Sequence, residues 1–181
     1  MSFLHFAIFW SYLTTQMIFA LSTLNLNEAL LKAAHQGEYE RVQNLLSQGA
    51  NLEGRDIRNG FTPLHAACHG GNVDVVKYLI NQGANIEARN LALDTPLDVA
   101  AFAGRAGVAE ELLRRGADIE TRNSADFTPL MTAAFAGQTE VAAVLMRNGA
   151  DKHARNKDGS TPSDLADYTN YKNTKKYIES H

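Results

Sequence analysis

Cysteine occurs once in these 181 residues, at Cys68, so no disulfide can close within the chain. Neither sign of charge is in marked excess. Lys and Arg number 17 and Asp and Glu 20, a formal net charge of −3, so nothing draws the whole chain toward nucleic acid or an acidic surface. There is no G-x-G-x-x-G, no phosphate-binding P-loop, no G-x-S-x-G and no H-E-x-x-H, so the common nucleotide, hydrolase and zinc-protease signatures are missing. At 45% hydrophobic residues the chain can still build a core, and its length suits one domain.

A second absence is local. The opening stretch, MSFLHFAIFWSYLTTQMIFALSTLNLN, holds no Asp, Glu, Lys or Arg; Glu28 is the first charged side chain. Phe3 to Leu21 is mostly bulky and apolar, and Ala20-Leu21-Ser22 places small residues at −3 and −1 of a cut before Thr23. Residues 1–22 therefore resemble a secretory signal peptide, which predicts a secreted or periplasmic protein. The n-region lacks Lys and Arg, and Ser11, Thr14, Thr15 and Gln16 interrupt the apolar run. An uncleaved membrane anchor, a cytoplasmic protein starting at Met17, and a hydrophobic helix packed on the domain stay open. Membrane contact is expected only if the segment is retained.

Proline is scarce, and its placing is regular. Every proline follows a threonine, at Thr62-Pro63, Thr95-Pro96, Thr128-Pro129 and Thr161-Pro162, and the interval between successive pairs never changes. Gly-Ala recurs at the same interval at Gly83, Gly116 and Gly149; an earlier Gly49-Ala50 lies one position further from Gly83, so the first connection is slightly longer. Threonine before proline starts a helix, because its hydroxyl caps free N–H groups and proline fits the first turn. Short small-residue helices follow, LHAACHG, LDVAAFAG and LMTAAFAG, closed by Gly71, Gly104 and Gly137. A second helix follows in each unit, with apolar residues recurring at every third or fourth position: VDVVKYLINQ, AGVAEELLRR and TEVAAVLMRN. Arms such as ANIEARN and ADIETRN lead on to the next turn.

The units resemble the ankyrin repeat. Thr62-Pro63-Leu64-His65-Ala66-Ala67 matches that family's T-P-L-H-x-A motif at every fixed position, and the period is the family's own. The resemblance covers Asn27 to His181. It implies an all-α solenoid of about five stacked helix–turn–helix units with projecting β-turn fingers, over 27–59, 60–92, 93–125, 126–158 and 159–181. The first unit has Ala29-Leu30 in place of Thr-Pro, and the last has Ser163 for Leu and a polar tail, as capping units with a wet outer face would.

The stretch GFTPLHAACHGG sets two histidines about the single cysteine. The resemblance implies that His65 bonds the turn backbone and neighbouring repeats. Cys68 aligns with Ala101 and Ala134 and reads as a small packing residue; His69 aligns with Phe102 and Phe135 and should face the groove. His65 and His69 share a helix face, but Cys68 is off it and no Asp or Glu completes a ligand set, so neither a metal site nor a catalytic thiolate is expected. No cofactor, no small-molecule substrate and no catalytic residue follows from the sequence.

In ankyrin arrays partners usually meet the turn tips and the exposed end of each first helix. Carried onto this chain, those positions point to Phe61, Leu91, Asp94 and Phe127 in the turns, and to His69, Phe102, Phe135 and Tyr168 on the helices. Phe102 and Phe135 stand in register, so the row predicts an apolar stripe suited to another protein, with packing between repeats as the alternative use of the rings. Glu53, Glu87 and Glu120 each stand two positions before an arginine, at Arg55, Arg89 and Arg122, with Arg155 continuing the series; this predicts an exposed salt-bridge ladder. The reading is a non-enzymatic protein–protein interaction module; the alternative is an accessory or immunity-like protein that stabilises or inhibits one enzyme.

Overall fold

The threonine–proline pairs do start helices. A computed structural model describes Gln16 and residues 25–181. Helix α1 runs through residues 25–36 and pairs with α2 (Tyr39–Ser47). The next pairs are α3 (Pro63–Gly70) with α4 (Val73–Asn81), and α5 (Pro96–Phe102) with α6 (Ala106–Arg114). They are followed by α7 (Pro129–Phe135) with α8 (Thr139–Arg147), and α9 (Pro162–Tyr168) with α10 (Lys172–Ser180). Among the described residues there is no strand, and no helix is long and apolar enough to cross a membrane. The leader expected over 1–22 lies, Gln16 apart, outside the described residues.

Each of Thr62, Thr95, Thr128 and Thr161 caps its helix, its hydroxyl accepting from a backbone N–H of the first turn. In three units the bond is reciprocated: Thr62 N–H donates to His65 Nδ1 at 3.2 Å, Thr95 N–H to Asp98 Oδ2 at 2.9 Å, and Thr161 N–H to Asp164 Oδ2 at 2.8 Å. Met131 occupies that register in the fourth and offers no acceptor there.

The pairs stack into two layers. α3, α5, α7 and α9 pack in series, and α2, α4, α6, α8 and α10 form the second row. The core repeats with them: Leu30, Leu64, Leu97 and Leu130 are buried at one register, and Leu45, Leu79, Leu112, Leu145 and Ile178 at another. Each such side chain contributes about 1.5–3 kcal/mol on removal from water. Alanines fully buried between first helices, such as Ala67, Ala100 and Ala133, let those backbones approach closely. The tightest approach is at Gly70, where a Cβ would run into the His35 carbonyl oxygen, so no side chain fits.

Side chains at one recurring register stitch consecutive units together. Asn72 Nδ2 donates to the Ala34 and His35 carbonyls, Arg105 Nε to the His69 carbonyl, and Gln138 Nε2 to the Phe102 carbonyl. The His35, His69 and Phe102 carbonyls are ones that the end of a first helix leaves free, and the Ala34 carbonyl also accepts from Gly37 N–H. Three residue types do one job, so letter-by-letter periodicity hides it.

The arms correct one expectation. The glutamate and arginine series do not pair with each other. Glu53, Glu87 and Glu120 each accept from a backbone N–H of the next arm, those of Asn85, Asp118 and Asp151, at 2.7–2.9 Å. Arg89 donates to the Leu93 carbonyl at 2.8 Å and across to the Arg122 carbonyl at 2.6 Å; Arg122 repeats the pattern to Asp126 and Arg155, and Arg55 to Gly60 and Arg89. The reason is local geometry. Asn51, Asn85, Asp118 and Asp151 each accept from the N–H two positions on, so the arm is a turn rather than an alternating strand.

Candidate functional site

The fingers are held before anything could bind them. In each of three turns one asparagine side chain accepts two backbone N–H groups: Asn90 from Ala92 and Asp94, Asn123 from Ala125 and Phe127, and Asn156 from Asp158 and Ser160. Neighbouring fingers bond directly, Leu91 N–H to the Asn59 carbonyl and Ser124 N–H to the Ala92 carbonyl, both at 2.9 Å. The hairpin turn needs a left-handed residue, filled by Gly60 and Gly159 but by Leu93 (φ 61°) and Asp126 (φ 61°) in the two central fingers. The two central fingers thus carry side chains at a position that favours glycine.

Between the fingers and the first helices lies a cleft of about 650 Å³. Seven of the eight residues singled out from the sequence line it: Phe61, His69, Leu91, Asp94, Phe102, Phe127 and Phe135. Tyr168 does not. It stands 84% exposed over an adjoining depression that it shares with Phe102 and Phe135. The rings divide into two kinds. Phe102 is 56% exposed and Phe135 38%. Phe61 and Phe127 are half-buried: Phe61 stacks on His65 at 5.4 Å, and Phe127 packs against Met131 and lies 5.7 Å from the Phe135 ring. For those two rings, packing against their own repeat accounts for much of the side chain.

The histidines differ as well. His65 is fully buried; its Nδ1 accepts from Thr62, so Nε2 carries the proton and donates to the Asp94 carbonyl at 3.1 Å. Burial holds its pKa down at about 4, so the ring is neutral. His69 sits partly buried at the cleft wall, 5.2 Å from the His35 ring, and its pKa is lowered by burial, by His35 and by Arg105. Cys68 is fully buried, and burial alone pushes its thiol well above the usual range, which is a packing cysteine and not a nucleophile.

Two floor residues escaped the sequence reading. Asp98 stands where the first full repeat has His65 and is 1% exposed. Its Oδ2 accepts from Thr95 N–H and Oγ1, while Oδ1 has no hydrogen-bond partner. Burial raises its pKa to about 7 against the opposing pull of the Thr95 bonds. Thr132, on the next first helix, is also buried at the cleft with its hydroxyl unpartnered. The signal that could have found Asp98 is its departure from the histidine register. Thr132 stands on α7 at the register that holds Ala66 and Val99 in the two preceding repeats.

A family profile for ankyrin repeats (3 copies) matches residues 30–123, and a second, for ankyrin repeats (many copies), matches residues 112–166. No curated protein matches the chain.

Proposed function

This chain belongs to the ankyrin repeat family, whose arrays generally serve protein–protein interaction, and we propose that it holds or masks one partner protein in the cleft between its fingers and first helices. The observation that carries this is the pair Phe102 and Phe135. Two aromatic rings at equivalent register stand exposed beside a cleft whose backbone is pinned by the finger hydrogen bonds. Rigid aromatic anchors lose little entropy on binding and dominate interface energetics. The family is typically non-catalytic, and the cleft offers no activated nucleophile: the single cysteine is buried away from it.

The test is Phe102→Ala with Phe135→Ala in the affinity-tagged full chain, expressed in its own cells. The expected result is a protein that still unfolds cooperatively, though at a lower temperature because Phe135 packs on Phe127, and loss of the captured partner, because each truncated anchor costs about 2 kcal/mol, or roughly thirtyfold. Capture undiminished in the double variant refutes the reading. A single enzyme co-purifying in stoichiometric amount would make the protein an accessory or inhibitor of that enzyme. The proposed compartment is outside the cytoplasm, with residues 1–22 removed as a leader. An intact mass that starts at Thr23 in the exported fraction supports this, and a full-length or Met17-start mass in the cytosol overturns it.

A further inference from the structure

The cleft is not uniformly apolar. Its walls are phenylalanine rings, but its floor holds a buried carboxylate oxygen, Asp98 Oδ1, and a buried hydroxyl, Thr132 Oγ1, neither with a partner among the described residues. A buried polar atom left unpaired costs free energy that a bound donor recovers. The two residues lie on adjacent first helices, α5 and α7, and both line the same cavity, each unpaired oxygen closed to bulk water. Asp94, whose carboxylate accepts from Asn90 and Asn123, adds a second acid at the rim, against one arginine, Arg58. With Asp98 ionised the two acids outweigh Arg58, so the cleft favours a cation whose arrival displaces the proton that Asp98 keeps below about pH 7, and the acceptors are then two.

A lysine ammonium is a compact, strongly hydrated charge. A guanidinium is flat, less hydrated, stacks on aromatic faces and presents several donors at once. We infer that the partner contributes an arginine side chain to this cleft, its guanidinium donating to Asp98 and Thr132 and lying against the phenylalanine rings. The inference rests on the cleft being the partner site, and it names the chemistry of the segment that enters.

The probe is a library of random heptapeptides displayed on phage and selected on the full chain, followed by direct binding of the enriched synthetic peptides. The expected result is an arginine shared by the peptides whose binding is lost in the Phe102→Ala, Phe135→Ala protein. Replacing that arginine by citrulline, which keeps the shape and removes the charge, should weaken binding at least tenfold. Asp98→Asn should weaken the arginine peptide by a similar factor, and the citrulline change should then add less than twofold. Asp98→His is the second variant, because His65 shows that this register accepts histidine with its threonine cap intact. Peptides that need the phenylalanines but carry no arginine, or arginine peptides indifferent to both Asp98 variants, overturn the inference and leave the cleft reading standing. A library yielding no peptide that depends on Phe102 and Phe135 refutes the cleft reading and the arginine with it.

Discussion

Asp98→Asn should change how stability depends on pH. Burial raises the Asp98 pKa from 3.8 to about 7. Between those values the folded protein keeps a proton that the unfolded chain has lost, so this residue makes stability fall as pH rises. At about 1.4 kcal/mol per pKa unit, ionised Asp98 costs the fold roughly 4 kcal/mol above pH 7, and about 3 kcal/mol of that develops between pH 5 and pH 8. His65 acts in the other direction. Its pKa falls from 6.5 to about 4, so the unfolded chain binds the extra proton in that interval and stability rises with pH. The two slopes nearly cancel in the wild type from about pH 4 to 6.5. Asparagine keeps an acceptor for the Thr95 cap and removes the titration, leaving the His65 slope, to which His69, also lowered, adds in the same sense. Urea unfolding followed by circular dichroism at about pH 5, 6.5 and 8 gives the comparison. The variant should gain about 3 kcal/mol on the wild type across that range. A difference constant within about half a kcal/mol would mean that Asp98 is not held neutral by its surroundings.

Leu93→Gly should raise stability by about 1 kcal/mol, since Leu93 sits half-exposed at φ 61° where glycine meets no Cβ penalty; a lowered melting temperature would show that the Leu93 side chain stabilises more than its backbone strain costs. Arg89→Ala should cost about 1.5–3 kcal/mol, because one guanidinium bridges the Leu93 and Arg122 carbonyls. That cost should persist in about 1 M salt, whereas an exposed ion-pair ladder would be screened.

Much of the fold was legible because the same physics recurs in every unit at a constant interval. Thr-Pro fixes a helix start by capping and by proline's φ, so α3, α5, α7 and α9 begin where those pairs stand. The arm chemistry was not legible in the same way. Glu53 and Arg55 look like partners only if the chain alternates as a strand, and the Asn51 turn breaks the alternation and sends each side chain to a different backbone group. The stitching residues Asn72, Arg105 and Gln138 share a donor but not a letter. For the cleft, register alone brought Phe102 and Phe135 side by side. Its floor stayed hidden because the polarity of Asp98 and Thr132 matters only once burial leaves an oxygen on each unpaired.

The most direct test of the cleft as a binding surface is photo-crosslinking in living cells with benzoylphenylalanine placed singly at position 102, on α5 at the cleft, or at position 110, exposed on α6 in the second-helix layer. A discrete, stoichiometric adduct of one protein from position 102 and none from position 110 is the predicted result. An adduct from position 110 with none from position 102 would contradict it and move the partner to the opposite layer of the array.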